Sequence, residues 1–299
     1  MRAIVITENS RCDMSPLTDR TPHALLPVAG KTVLLHTLEM LHRSHVREVD
    51  VVSPKPHVEL ASAVDNGSLF GMEVRFVREC PDLNQSSGVC LIVGLSNLVD
   101  VDWHELVTSL GVVKVHHLIP SKLVIGSTTV ALVMPPYYCE QLSSDWNEID
   151  QIIAFSIQFS DLLDRLIPIN SFAAFHSANC RLSRGKFKNL TLGGRKFASG
   201  YHVGPKSKVN VVSLQSDHGY IGSNCRIEKS ARLSGDVVIG DEVTIGTGAH
   251  VSDSVIFDST YIGANTDFRN SIVNGNLMIR VDTGACLELD DPVLFGAIA

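Results

Sequence analysis

Glu8, Arg11, Asp13 and His23 follow the first strand-like run, all within MRAIVITENSRCDMSPLTDRTPHALLPVAGK, residues 1–31. Arg2–Ile6 has the pattern of a buried strand, and Thr32–Arg43 carries Leu34, Leu35, Leu38 and Leu41 at helical spacing. The stretch therefore reads as strand, turn, polar loop and helix start, the entry of a nucleotide-binding α/β domain. A loop in that place binds phosphate when glycines let backbone amides approach and cations neutralise the charge. This loop instead offers two acids, one cation and the amide side chain of Asn9. Further candidates are Asp100 and Asp102 before a helix at Trp103, and His218 and His250 in the C-terminal third.

The elements that would position these groups follow in order. Val46–Val52 and Glu73–Arg78 are strands, and His57–Asp65 between them is a short helix. This βαβαβ alternation implies a parallel sheet with right-handed crossovers. Cys80–Gly88 is a polar loop, Cys90–Gly94 a strand, Trp103–Leu110 a helix and Val130–Met134 a strand. Met134-Pro135-Pro136 opens a helix, and Asn147–Arg165 follows as another, with Ile149, Ile152, Ile153 and Ile157 on one face. Leu166–Ile169 is the last strand and Phe172–Leu182 the last helix of this part; Ser183–Tyr201, rich in Gly, Ser, Lys and Arg, is a solvated linker.

From Ile221 an aliphatic or aromatic residue recurs every six positions, at Ile227, Leu233, Ile239, Ile245, Val251 and Phe257. Small or β-branched residues fall four positions after each: Cys225, Ala231, Val237, Val243, Ala249 and Val255. This is the hexapeptide repeat of a parallel β-helix, with the key aliphatic pointing to the axis and Gly at the tight corner. A register break near Thr260–Tyr261 precedes Ile262, Phe268, Val273, Ile279 and Ala285. With three hexads to a turn, residues 203–290 hold about four to five coils, each stabilised by its neighbours.

Composition sets the bounds. At 299 residues and 44% hydrophobic content the chain can bury one large core or two moderate ones. A net charge of −7 with no basic run argues against nucleic-acid binding, and the apolar runs are too short for membrane insertion. Seven scattered cysteines, odd in number and without a CxxC pair, suit a reduced cytoplasm better than a disulfide framework or a zinc site.

The opening frame resembles that of the sugar-1-phosphate nucleotidyltransferases, or NDP-sugar pyrophosphorylases, the mannose-1-phosphate guanylyltransferase-like enzymes among them. Pro16-Leu17-Thr18, Thr21-Pro22 and Ala24-Leu25-Leu26-Pro27-Val28-Ala29-Gly30-Lys31 fit the family pattern without a gap, and Val46–Val52 matches its second strand. The resemblance implies a Rossmann-like α/β domain, here truncated, over residues 1–182, a linker over 183–202 and a left-handed parallel β-helix over 203–299. It also implies where the chemistry should be. The two loop glycines fall on Glu8 and Asn9, the third on Arg11 and the loop threonine on Cys12; the pyrophosphate-binding arginine falls on Asp13 and a lysine on His23. The two Mg²⁺-holding aspartates fall on Ser96 and Pro168. The family's Gly-Thr-Ala-x-Ala and Glu-Lys-Pro segments have no counterpart. One misplaced anion several ångströms from a phosphate costs on the order of 3 kcal/mol even at an effective dielectric near 20.

A catalytically inactive homologue is thus expected, with a regulatory or scaffolding role in nucleotide-sugar or polysaccharide biosynthesis. Its partner would be an active nucleotidyltransferase or another enzyme of that biosynthesis. No cofactor is expected, and the resemblance implies a homo-oligomer, a dimer through the β-helix, whose last coil would be uncapped. One alternative is a divergent active nucleotidyltransferase using Mg²⁺ with Arg11, His23 and Asp100 or Asp102 in changed roles. A second is a hexapeptide-repeat acyltransferase with His218 or His250 as base.

Overall fold

Short runs of β-branched residues bounded by turns become the strands of the N-terminal sheet. The computed structural model describes residues 1–55, 58–83, 88–109, 119–197, 199–289, 291 and 293–297. Expectations for His57, Leu110, residues 84–87 of the polar loop and residue 290 lie outside these. Two units result: Met1–Asp13, Thr21–Leu26 and Thr32–Asn170 in the first, Met14–Arg20, Pro27–Lys31 and Ser171–Ala299 in the second.

The first unit runs β1 (Arg2–Ile6), α1 (Val33–Arg43), β2 (Glu48–Val52), α2 (Val58–Val64), β3 (Glu73–Val77), β4 (Cys90–Gly94), β5 (Asn97–Val99), α3 (Trp103–Ser109), β6 (Ser121–Ile125), β7 (Thr128–Met134), α4 (Trp146–Ile152), β8 (Phe155–Phe159) and β9 (Leu166–Pro168). Thr32 caps α1 by accepting from the Leu35 amide at 3.1 Å. The main sheet has the order β8-β6-β7-β4-β1-β2-β3. Strands β1, β2, β3 and β4 are parallel, as the alternation predicts, and β1 and β4 are buried nearly throughout.

The remaining strands correct the expectation of a wholly parallel sheet. β7 runs antiparallel to β4 and forms a hairpin with β6, a strand not predicted, turning at Gly126. Residues 147–165 are not one helix but α4, β8 and a short 3-10 turn at Leu163–Arg165. Phe155, Ile157 and Phe159 alternate with polar residues, and β8 pairs in parallel with β6 from Phe155↔Ser121 to Phe159↔Ile125. A complete ladder outweighs the helical spacing of four isoleucines, of which Ile152 is exposed. β9 joins β5 in a separate antiparallel pair instead of the main sheet.

The second unit opens on α5 (Phe172–Ser183), capped by Ser171. In the same unit the Ala29 amide donates to Asn179 Oδ1 at 2.8 Å, and Gly30 sits at φ +84° under the Tyr220 ring, where a Cβ would come within 2.1 Å of the ring. No other residue fits there, which accounts for Ala29-Gly30 in the sequence frame. Strands β10 (Tyr201–Val203), β11 (Gly219–Ile221), β12 (Arg226–Ile227), β13 (Arg232–Ile239), β14 (Thr244–Ile245), β15 (His250–Ile256), β16 (Thr260–Ile262), β17 (Asp267–Arg269) and β18 (Ser271–Asn274) follow. Each of three ladders repeats in parallel with registers such as Ile221↔Ile239, Ile227↔Ile245 and Leu233↔Val251. The next step shortens, as in Val251↔Phe268 and Ile256↔Val273, which is the register break seen in the sequence. Ile221, Ile227, Leu233, Ile239, Ile245 and Val251 share one buried cluster with Cys225, Ala231, Val237, Val243 and Ala249.

Three details differ from the sequence reading. Left-handed corner residues include Asn224, Ser230, Glu242 and Ser259 as well as Gly248, whereas Gly222, Gly240 and Gly246 have ordinary φ. These glycines are needed for approach between successive turns: a Cβ on Gly240 would lie 2.1 Å from Asp258 Oδ1. The parallel progression also stops at β18. β19 (Leu277–Arg280) turns back antiparallel on β18, β20 (Cys286–Glu288) on β19, and β21 (Phe295–Ala297) covers β16 antiparallel. The last turn is therefore covered on two ladders, four parallel steps link Val203 to Val273, and Ala285 is exposed while Ile279 is buried.

Arg184, just after α5, grips Asp236 with two bonds of 3.0 and 2.6 Å, and His218 Nε2 reaches the same carboxylate. Burial pulls the Asp236 carboxyl upward, but Arg184 and His218 outweigh it and hold it below the usual carboxylate value. A depressed folded value stabilises above the unfolded pKa, about 3.9, and the gain is lost as pH falls through the folded value. Asp236→Asn should lower stability by about 1–2 kcal/mol at pH 7. The gap from wild type should stay constant down to about pH 5 and shrink below about pH 4, as read by urea unfolding.

Candidate functional site

The strand order reverses between β1 and β4, so a crevice is expected at their carboxyl ends, where α/β sheets bind ligands. Ile6 and Gly94 are register partners at that edge. Trp146, the first residue of α4, packs against this edge. Its indole lies so close to Gly94 that a Cβ there would meet it at 2.4 Å, and it packs in one cluster with Ile4, Ile6, Val52 and Ile92.

The loop after β1 is bound to the same helix start. Trp146 N donates to Glu8 O at 2.9 Å. Asp145 caps α4, accepting from the Asn147 amide at 2.8 Å, and also takes the Ser10 amide at 2.9 Å and the Ser10 hydroxyl at 3.3 Å. An amide of the kind that would face a phosphate thus faces the chain's own carboxylate. Glu8 makes an ion pair with Lys55 at 3.5 Å, so its charge is answered within the protein.

Ser96 and Pro168 come together in the fold. Pro168 pairs with Asn97 across the β9–β5 ladder, and the Ile169 amide donates to Ser96 O at 2.8 Å. Asn9 Nδ2 donates to Ser96 Oγ, while Asn9 Oδ1 accepts from the Arg11 amide at 3.0 Å. A hydroxyl, a carboxamide already engaged on both ends and a proline do not fit Mg²⁺, which is held through carboxylates. Among the described residues no group of three His, Cys, Asp or Glu side chains is placed to hold a metal.

The other candidates stand apart in chemistry. His23 Nε2 contacts Ile169 O at 2.9 Å, and burial, outweighing that carbonyl and Glu8, keeps the ring below its usual value. It is uncharged at neutral pH and does not replace a lysine. Burial, reinforced by Asp13, pushes the Cys12 thiol up to about 11. Arg11 and Asp13 are exposed. Asp102 caps α3, accepting from the His104 and Glu105 amides at 2.9 and 3.1 Å, and Asp100 is buried with its amide on Arg165 O. In the second unit, both ring nitrogens of His218 meet carboxylates, those of Asp217 and Asp236. Asp145, Trp146 and Lys55 were not singled out from the sequence. Ser144-Asp145 before an apolar residue is an N-cap signal, but nothing local indicates that its carboxylate also reaches Ser10.

Residues 215–286 match the family described as GMPPB C-terminal domain. The glucose-1-phosphate thymidylyltransferase of Streptomyces griseus is 27% identical over 103 residues, 34% of this chain and 28% of that protein. The UTP–glucose-1-phosphate uridylyltransferase of Synechocystis sp. is 23% identical over 160 residues, 53% of this chain and 36% of that one. Over these stretches the chain is similar to sugar-1-phosphate nucleotidyltransferases. Its matches span only about a third of those relatives' length. A solved structure from Bacillus anthracis, assigned as a glucose-1-phosphate thymidylyltransferase and complexed with sucrose, covers 60% of this chain and 94% of its own, at 13% identity and TM-score 0.45.

Among the described residues no helix is long and apolar enough to cross a membrane, and all seven cysteines are free. Asp145→Ala should cost about 1–3 kcal/mol, the sum of a lost helix cap and lost bonds to the loop. The checks are a lower denaturant midpoint and faster hydrogen exchange at the Ser10 amide. Asp145→Asn, which can still accept, should lose less than half as much.

Proposed function

We propose that this chain is a catalytically inactive nucleotidyltransferase homologue that regulates or scaffolds nucleotide-sugar biosynthesis. The observation that carries the reading is the adjacency of Ser96 and Pro168. The β5–β9 ladder brings Ser96 and Pro168 side by side, and neither position has a carboxylate. Nucleotidyl transfer needs in-line attack on the α-phosphorus with the charge neutralised by metal and cations. The packing of Trp146 against the β1–β4 edge and the engagement of Ser10 by Asp145 support the same reading, since both lie at the strand ends where α/β sheets bind ligands.

The remaining parts of the proposal follow from the family relation. The three parallel ladders form a left-handed β-helix, with no resident cofactor, and the protein is cytoplasmic. It forms a dimer through this helix by a flat ladder face, since β21 and β19 cover the terminal turn. Its partner is an active nucleotidyltransferase or another enzyme of polysaccharide synthesis.

Purified chain incubated with each of the common NTPs, a panel of sugar-1-phosphates and Mg²⁺ should release no pyrophosphate above a no-enzyme control. Turnover of any pair overturns the inactivity. Titrated into an active homologue, the same chain should shift that enzyme's rate. Unchanged kinetics at saturating chain would remove the regulatory half of the reading.

A further inference from the structure

The outward-facing side chains of the third ladder bring together a serine, a histidine and an aspartate from three successive turns. His250 and Asp267 are direct register partners on β15 and β17. Ser234 on β13 is the diagonal neighbour of His250, because Arg232 pairs with His250 and Ser234 with Ser252. Diagonal positions on one sheet face lie close enough for a long side chain to bridge. Here His250 Nε2 is 2.9 Å from Ser234 Oγ, and His250 Nδ1 is 3.6 Å from Asp267 Oδ1.

We propose that Ser234, His250 and Asp267 form a second, nucleophilic site that cleaves small acyl esters. The arrangement has two elements of an activated serine: a base within hydrogen-bond reach of the hydroxyl, and an acid at ion-pair distance from the base's far nitrogen. With its proton on Nδ1, facing Asp267, His250 presents the Nε2 lone pair to the serine. The longer separation to Asp267 is within ion-pair reach and shortens as the imidazole gains charge. Arg269 holds the same carboxylate through bonds of 2.9 and 2.7 Å, and so keeps it ionised and oriented. The contrast with His218 is informative, since both of its nitrogens are taken by acids and neither faces a hydroxyl.

Rigidity favours the same assignment. Ser234 is the last paired residue before a bulge at residues 235–236, with Gly235 at φ +67°. The Asp236 amide is fastened to Asp253 Oδ1 at 3.0 Å. Side-chain exposures of 30% for His250 and 49% for Asp267 leave the face open to a small molecule. In the reaction Ser234 Oγ bonds to the ester carbonyl carbon while its proton passes to His250 Nε2. The tetrahedral intermediate collapses, the C–O bond to the alcohol breaks, and the imidazolium returns the proton to the departing oxygen. A water deprotonated by His250 then attacks the acyl-serine, releasing the carboxylic acid and restoring the hydroxyl.

The test uses the intact chain with a fluorophosphonate probe, the modified peptide mapped by tandem mass spectrometry, and p-nitrophenyl acetate turnover alongside. Modification is expected at Ser234, absent in Ser234→Ala and about 10²-fold slower in His250→Ala, the contribution of a general base. Asp267→Asn should slow labelling less than His250→Ala and move the pH profile. All three residues are surface-facing, and circular dichroism with a thermal melt verifies that each variant is folded. No labelling of wild type above a heat-denatured control overturns the proposal. So does labelling of folded His250→Ala at the wild-type rate, or probe found only on other serines.

Discussion

In the first unit everything near the β1 and β4 strand ends depends on how an empty crevice would be closed. A parallel sheet leaves a gap where its strand order reverses, and a gap lined by Ile6 and Gly94 must be filled by a ligand, by water or by side chains. Here one indole packs against that edge. Trp146 fits because Gly94 has no Cβ, and Asp145 beside it holds both the start of α4 and the Ser10 amide. Those contacts determine the course of the loop after β1. The loop course in turn sets where Glu8 meets Lys55 and Asn9 meets Ser96. Replacing an external anion by an internal carboxylate satisfies the same donor without a binding equilibrium, so the loop is held whether or not any ligand is present.

The second unit is built on a different constraint, the spacing between successive turns. Each buried aliphatic rests on the one a turn before it, and the cluster from Ile221 to Ile262 is continuous for that reason. Stability is then close to additive over neighbouring turns. The glycines between turns serve backbone approach, while Asn224, Glu242 and Ser259 make the corners in the left-handed region at some local cost. A stack of this kind has two open ends. At the C-terminal end the chain reverses, and β19 and β21 pair antiparallel, which hides strand edges that would otherwise recruit other chains.

How legible each unit was follows from how local its information is. The hexads are visible because a residue and its partner differ by a fixed interval, so burial at Ile227, Leu233 or Ile245 follows from counting. Strands β1, β2 and β4 were also plain, being apolar runs bounded by turns. β6 and β8 were not. Four isoleucines at helical spacing masked the alternation of Phe155, Ile157 and Phe159, and Gly126 was not read as a hairpin turn. Both strands exist because each completes the other's hydrogen bonds, a fact with no local signature. The candidate site was half legible. The absence of carboxylates at Ser96 and Pro168 needed only the sequence, and their adjacency needed the β5–β9 ladder. Asp145, 135 residues from Ser10, could not have been paired with it by inspection.

The replaced residues at the first site are mutually consistent, and that consistency bears on whether the site is a damaged centre or a settled structure. Random loss of glycines and cations would leave buried donors and acids without partners, at about 1–3 kcal/mol for each. Instead Glu8 has Lys55, Asn9 joins Ser96 to the Arg11 amide, His23 rests on Ile169 O and Asp102 caps α3. His23 is kept below its usual value because burial outweighs the Ile169 carbonyl and Glu8, both of which favour the charged ring. Through these contacts the loop is part of the core's own hydrogen bonding.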